Sequence, residues 1–460
     1  MSAASSHNLF SAVRISGLLF AMTLAASLSM AISPLLVGAS MGAATLLWIL
    51  FRQPVAMLGL LLAFMPMDYM AIELGKFFGL PYMTLVSACT KEVPLLLLLL
   101  ILWRRNGCRP AAPDWWLLAF FAMAAVRTAF DGSLAGLVTD FSFIIPYFVG
   151  RVTVLGPRQE KRWAVGAVWI AAILSVLGMI EVFILGEGPR ALLYLATDSQ
   201  TRDGRLTASF HGIGFAGMRE AATMVGPNGF GELCMIALLL WWVYCRNPLP
   251  GSMIAAGLIG SVTRSAWLGT ATAIFLLAFL MRQKRRLVVA LTSALVLFVL
   301  SIPVLGLNDY LSFNETGQDP SAEGHRDEIA DGLQYAVEHP LGSGNGEVSA
   351  LSLQANLNAK TFETTYPNFA AEYGIGAVLS FAGCLGSAGY VLWRTPTPLG
   401  RAALGILVGL SVLMIFTLPL IDRRLACWLC FPIGLALREA DGRLCKPSIA
   451  ADHGGTMHVR

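Results

Sequence analysis

The chain has 460 residues, of which 56% are hydrophobic and only 13% charged, with a mean hydropathy of +0.67, against roughly 45–50% apolar and 25% charged residues in soluble domains. This excludes a soluble globular enzyme and identifies a polytopic membrane protein. The net charge of +4 is small and the basic residues cluster beside apolar runs, which fits membrane orientation and gives no reason to expect nucleic acid.

Taken in order, apolar runs able, or nearly able, to cross roughly 30 Å of hydrocarbon lie at about 15–32, 35–51, 54–72, 83–103, 115–131, 134–150, 163–185, 227–245, 287–305, 371–393 and 402–420. The first follows Arg14 but is read as a retained helix, not a signal peptide, because further spans follow at once. The expected fold is all-α, a single membrane domain over 1–460 with about 12–14 transmembrane helices.

Basic clusters at Arg52, Arg104–Arg109, Arg158–Arg162, Arg246, Arg282–Arg286, Arg394–Arg401 and Arg438–Arg443 belong in the cytoplasm. Counting crossings between them places the N-terminus inside. It also forces the interval Gly251–Met281 to cross twice, because Arg246 and Arg282 must share a side. Two short helices meeting at Thr263-Arg264-Ser265 satisfy this and put Arg264 at the outer face. One long tilted helix with a snorkelling arginine is the other reading. The last apolar piece, Leu425–Leu437, is too short to assign.

By the same count the two long polar loops, 186–226 and 307–371, face outward, and loops this long are functional more often than connective. In the second, Ile329, Leu333, Ala336 and Val337 share one face of a short amphipathic helix ending at Pro340, suited to lie on the membrane or against the bundle. The following Gly342-Ser343-Gly344-Asn345-Gly346 is a turn whose N–H groups could face an anion, or only a turn.

The eight cysteines lie in or beside apolar runs, so no disulfide framework is expected, and Cys427-Trp-Leu-Cys430 reads as helix packing. No Asp-X-Asp motif, His-rich cluster or Gly-Lys-Ser/Thr loop occurs, so neither metal, nucleotide nor other cofactor is expected. Against 11 acidic residues between Asp309 and Glu372 stand only Arg326 and Lys360. Arg326 either pairs with its neighbours or offers a planar fork to a phosphate. Arg219, shortly before Gly226-Pro227-Asn228-Gly229, and Arg264 fall on the same side. Three converging cations suggest an anionic lipid headgroup or lipid diphosphate; interfacial anchoring is the plainer reading.

These pieces resemble the O-antigen ligase and polymerase superfamily of bacterial envelope proteins: Tyr147-Phe-Val-Gly-Arg151, Arg219 through Gly226-Pro-Asn-Gly-Phe-Gly231, Thr263-Arg264-Ser265, Arg326 with His339-Pro340-Leu-Gly342-Ser-Gly-Asn-Gly346, and Glu363-Thr-Thr-Tyr366-Pro367-Asn368 through Gly376. The resemblance implies a glycosyltransferase of the inner membrane. It would move a glycan from undecaprenyl diphosphate on the periplasmic face, with a chain-length regulator and a repeat-unit flippase as partners. Carried over by position, Arg219, Arg264 and Arg326 would hold the diphosphate, and a general base would deprotonate the acceptor hydroxyl.

Ligases of this family usually carry His-Asn where this chain has Pro367-Asn368, which favours polymerisation of exopolysaccharide or O-antigen repeat units over ligation. Glu363, His339, His211 and Tyr366 are the replacement bases. Ligation to a lipid or protein acceptor is the nearest alternative. A transporter or flippase using Lys91, Glu92, Arg127 and Glu181, and a non-catalytic assembly subunit, are the others.

Overall fold

The computed structural model describes residues 52–79, 83–131, 133–186, 188–196, 201–202, 205–206, 219–224, 226–283, 320–345 and 364–444, with 45, 49, 288, 292, 299, 348 and 362. Its elements are helices, apart from one antiparallel pair, β1 (Thr201–Arg202) with β2 (Arg205–Leu206). Helices α1 (Pro54–Phe64) and α2 (Asp68–Phe77) are joined by a 3₁₀ turn at Met65–Met67. Then come α3 (Met83–Asn106), α4 (Ala112–Asp131), α5 (Leu134–Asp140), α6 (Ile144–Val152) and α7 (Pro157–Ile180), the last extended by a π-turn over Glu181–Leu185. The rest are α8 (Gly188–Ala196), α9 (Pro227–Tyr244), α10 (Pro248–Gly260), α11 (Arg264–Leu280), α12 (Pro320–Glu338), α13 (Thr365–Tyr373), α14 (Ile375–Arg394), α15 (Pro398–Leu413) and α16 (Arg423–Leu444).

Helix starts follow local chemistry. Proline opens α1, α7, α9, α10 and α15, where its missing N–H has no helical partner to lose. Asn247 and Thr397 cap α10 and α15 by accepting from Leu249 N and Gly400 N, at 3.0 and 2.9 Å.

Among the described residues, three helices are long and apolar enough to cross a membrane, Pro54–Phe77, Pro157–Leu185 and Ile375–Arg394, whereas α10, α11 and α15 are shorter apolar helices. The expected run 134–150 is broken into α5 and α6 by a turn at Phe141–Phe143. The runs 15–32, 35–51 and 287–305 lie outside the described residues except at Thr45, Ile49, Val288, Thr292 and Val299.

Helix α16 resolves the short C-terminal piece. It has 22 residues and runs the length of the bundle, with Arg424 reaching Asp68 at one end and Arg438 reaching the carbonyl of Asn106 at the other. It packs against α6 through Gly150 and Gly434, whose backbones approach too closely to admit a Cβ. Near the same end as Asn106, the fully buried Arg151 is paired with Asp114 and Asp441, both at 2.7 Å. A buried cation needs such fixed carboxylates, since removal of either partner leaves an uncompensated charge. Cys427 and Cys430 are buried free thiols on α16.

The interval Gly251–Met281 is divided as the charge count requires: α10 and α11 meet at Ser261–Thr263. Tracing α9 down, α10 back and α11 down again brings the N-termini of α9 and α11 together, at the end of the bundle where Glu181 and Arg190 meet.

Candidate functional site

The site is assembled around the corner between α10 and α11. Val262 takes a left-handed φ of +50°, and Thr263 is the extended residue before α11. Thr263 Oγ1 donates to Pro227 O at 3.1 Å, tying this corner to the start of α9. Gly231, one turn into α9, faces Ser261 and Thr263 so closely that a Cβ would stand 2.6 Å from Ser261 Oγ.

Arg219 closes the arrangement. Its Nε donates to Ser261 O at 2.9 Å, and its Nη2 donates to Asn228 Oδ1 at 2.8 Å and to Val262 O at 3.3 Å. Arg219 is thus fixed against the residues that precede Arg264, and two half-buried guanidinium-bearing residues share one corner with two helix N-termini. Backbone N–H groups at such termini carry partial positive charge. The combination is suited to a multiply charged anion.

The segment carrying Arg219 is itself locked. Glu220 N donates to Gly260 O at 2.9 Å, and the Glu220 side chain lies between Gly178 and Gly260, where a Cβ on either would overlap it. Burial, with Glu181 nearby, pushes this carboxyl up to about 9, and its Oε1 has no hydrogen-bond partner among the described residues. Buried Arg190 pairs with Glu181 and donates to Ala222 O, while Thr223 Oγ1 donates to Pro66 O at 2.7 Å.

The connection from α15 to α16 reaches the same corner. A Cβ at Gly229 would lie 3.6 Å from Asp422 Oδ2; Glu232, on the next turn of α9, accepts from Thr417 Oγ1 at 3.0 Å. Thr365, at the start of α13, donates its hydroxyl to Thr417 O at 2.6 Å and its N–H to Met414 O at 3.0 Å. Beside Asp422, Arg423 pairs with Glu92, and Arg424 joins Lys91 on Asp68 at 3.0 and 2.6 Å. Below them is a cleft of about 380 Å³ whose walls are mostly apolar, including Leu95, Phe121, Val138 and Ile145, with Lys91, Glu92 and Arg423 as its charged lining.

The structure brings Arg219 and the Arg264 corner together directly. Arg326 is exposed on α12, six residues before Gly332. Gly332 meets Pro367 so closely that a Cβ there would be 2.5 Å from Pro367 Cβ. His339 is exposed and its ring lies 4.5 Å from that of Tyr335. Tyr366 points its hydroxyl at Ser411 O on α15, at 3.4 Å. Glu363 and His211 lie outside the described residues.

The glycine-rich stretch takes the second of its two readings, that of a turn: the N–H groups of Gly342, Ser343 and Gly344 donate to the carbonyls of His339, Ala371 and Glu372 at 2.8, 2.8 and 2.9 Å. Asn345 then accepts from Ser133 N at 2.6 Å, so the turn staples α12 to α13 and to the α4–α5 junction. On α12 the face packed inward carries Gly332, Tyr335 and Ala336, whereas Leu333 and Val337 are exposed. Close approach to Pro367 selects the smallest residue there, not the bulkiest.

Lys91 and Glu92 are engaged with Asp68 and Arg423, and Glu181 with Arg190, in two separate groups. Arg190, Glu220, Asp422, Arg423 and Arg424 were missed in the sequence. The run Asp422-Arg423-Arg424 between two apolar stretches was the readable sign.

No curated protein matches the chain. Residues 251–376 match the family model described as O-antigen ligase. The match starts within α10 and ends in the first turn of α14, so it contains Arg264, Arg326, the glycine-rich turn and Pro367-Asn368, whereas Arg219 precedes it. Residues 251–376 are therefore similar to the O-antigen ligase family, which supports the ligase and polymerase superfamily that the chain's motifs resemble.

Proposed function

We propose that the protein transfers a glycan from an undecaprenyl diphosphate carrier at the periplasmic face of the bacterial inner membrane, and that the transfer polymerises exopolysaccharide or O-antigen repeat units. The observation that carries this reading is the fixed Arg219 against the corner bearing Arg264, between the N-termini of α9 and α11. In the reaction an acceptor hydroxyl loses its proton to a base and its oxygen attacks the anomeric carbon. The bond from that carbon to the diphosphate oxygen breaks, and its electron pair remains on the diphosphate. Charge therefore grows on the leaving group, where preorganised donors stabilise the transition state more than the ground state.

Arg219 and Arg264 are assigned to that leaving group. Asp422 is assigned as the acid–base group at this corner on exposure alone: its side chain is 23% accessible although it accepts from Arg424 N at 3.0 Å and lies 3.7 Å from Arg424 Nη1, whereas Glu232 is buried. The apolar cleft beside Arg423 suits a hydrocarbon chain of the carrier. Loops 186–226 and 307–371 are assigned to the periplasmic side.

Polymerisation is preferred because Pro367, in the place of the ligase histidine, is engaged in seating Gly332 of α12. Ligation of a finished glycan is the second reading, favoured by the description of the matching family. Glycan length in a deletion strain separates them. Single repeat units left on their carrier are expected; full-length polymer that stays unattached would replace polymerase by ligase.

A further inference from the structure

The faces of α12 divide its surroundings into three. On a 3.6-residue period, Gly332, Tyr335 and Ala336 form the face packed on Phe362 and Pro367. Asp327, Asp331, Gln334 and Glu338 form a second, exposed and acidic face. Arg326, Ile329, Leu333 and Val337 form the third, on which Leu333 is 56% and Val337 73% exposed. An exposed apolar stripe beside an acidic one marks an interaction surface.

The apolar stripe continues past the helix end. Leu341 is 80% exposed, and its neighbour Pro340 accepts from Ile375 N at 3.0 Å. Gly342 and Gly374, with φ of +77° and +89°, allow the two segments to touch: a Cβ at Gly374 would stand 2.7 Å from Leu341 C. Beyond this contact, Ile375 and Leu379 are 38% and 65% exposed on α14, one of the helices long and apolar enough to span a membrane. One unbroken apolar surface therefore runs from a spanning helix onto α12.

We infer that α12 lies in the interface of the outer leaflet, with Leu333, Val337 and Leu341 among the upper acyl chains, Arg326 at the lipid phosphates and the acidic face in water. The occupant is the bilayer: the stripe joins a lipid-facing surface, and an arginine at its border matches the phosphate layer. The inference rests on the periplasmic placement of this end, not on the glycan chemistry. Arg326 then acts as a surface cation at the height where a diphosphate headgroup travels, distinct from the fixed Arg219.

The test uses the full chain in phospholipid nanodiscs, with its native cysteines replaced and a nitroxide attached at Leu333→Cys, Val337→Cys, Asp331→Cys or Glu338→Cys. Labels at 333 and 337 should collide with oxygen more than with an aqueous nickel chelate, and those at 331 and 338 the reverse. Equal nickel access at all four positions would overturn the inference, as would loss of both collisions at 333 and 337, which means a protein partner covers them. If the cysteine replacements prevent folding, benzoylphenylalanine incorporated at Val337 in the otherwise native chain should crosslink phospholipid, and at Glu338 should not; crosslinking only to protein rejects the membrane. Polymer synthesis is measured separately, so failure of this inference and failure of the enzymatic one are distinguishable.

Discussion

At Arg219 the two carbonyls of Ser261 and Val262 and the amide oxygen of Asn228 are arranged for a planar fork, which an ammonium cannot fill. Arg219→Lys is expected to lose about 1.5–3 kcal/mol of interaction, or roughly a ten- to hundredfold fall in polymer output, with normal protein in the membrane. Arg264→Lys should fall similarly, and near-normal output from both would remove the diphosphate assignment. Glu220 gives a pH signature. Its folded-state value of about 9 lies above the ordinary 4.5, so the folded protein holds the proton more tightly than the unfolded chain. Its contribution to stability is complete below the ordinary value and is lost as pH rises through the folded one. Thermal unfolding in detergent should show Glu220→Gln losing less stability than the wild type between pH 6 and 9.5; parallel curves would reject this.

Among the elements, α12 is held by the least bulky contact available, Gly332 on Pro367. Gly332→Val should lift the helix, raising hydrogen exchange across 320–345 while leaving the unfolding temperature of the bundle within a few degrees. Exchange unchanged in that segment would contradict the docking. The division of Gly251–Met281 into two helices was legible because Arg246 and Arg282 fix its parity, whatever the local pattern. The break between α5 and α6 was not, since Phe141-Ser142-Phe143 contains neither glycine nor proline. The inward face of α12 was not legible for a related reason: hydrophobic periodicity picks out Leu333 and Val337, which are exposed, but close backbone approach picks out Gly332. The arginines of the site could be chosen from sequence as rare cations, whereas the contacts of Arg219 with Ser261, Val262 and Asn228 depend on three helices returning to one corner.

For the molecule as a whole, the structure separates an end rich in Arg104, Arg105, Arg158, Arg246 and Arg438 from the end bearing the candidate site, the separation that sets orientation in membranes. Asp331→Cys should react with an impermeant thiol reagent in intact cells, and Arg158→Cys only after permeabilisation. The opposite pattern would invert the protein and remove the periplasmic assignment.

The hairpin of α10 and α11 carries a consequence for the surrounding lipid. Its arms, of 13 and 17 residues, measure about 20 and 26 Å at 1.5 Å per residue, less than a hydrocarbon layer of about 30 Å. In the proposed double crossing, such a mismatch is relieved by drawing the bilayer thinner around the short arms. Beside this hairpin the outer leaflet should therefore dimple, so that a carrier diffusing in the plane sinks toward Arg264 without having to leave its leaflet.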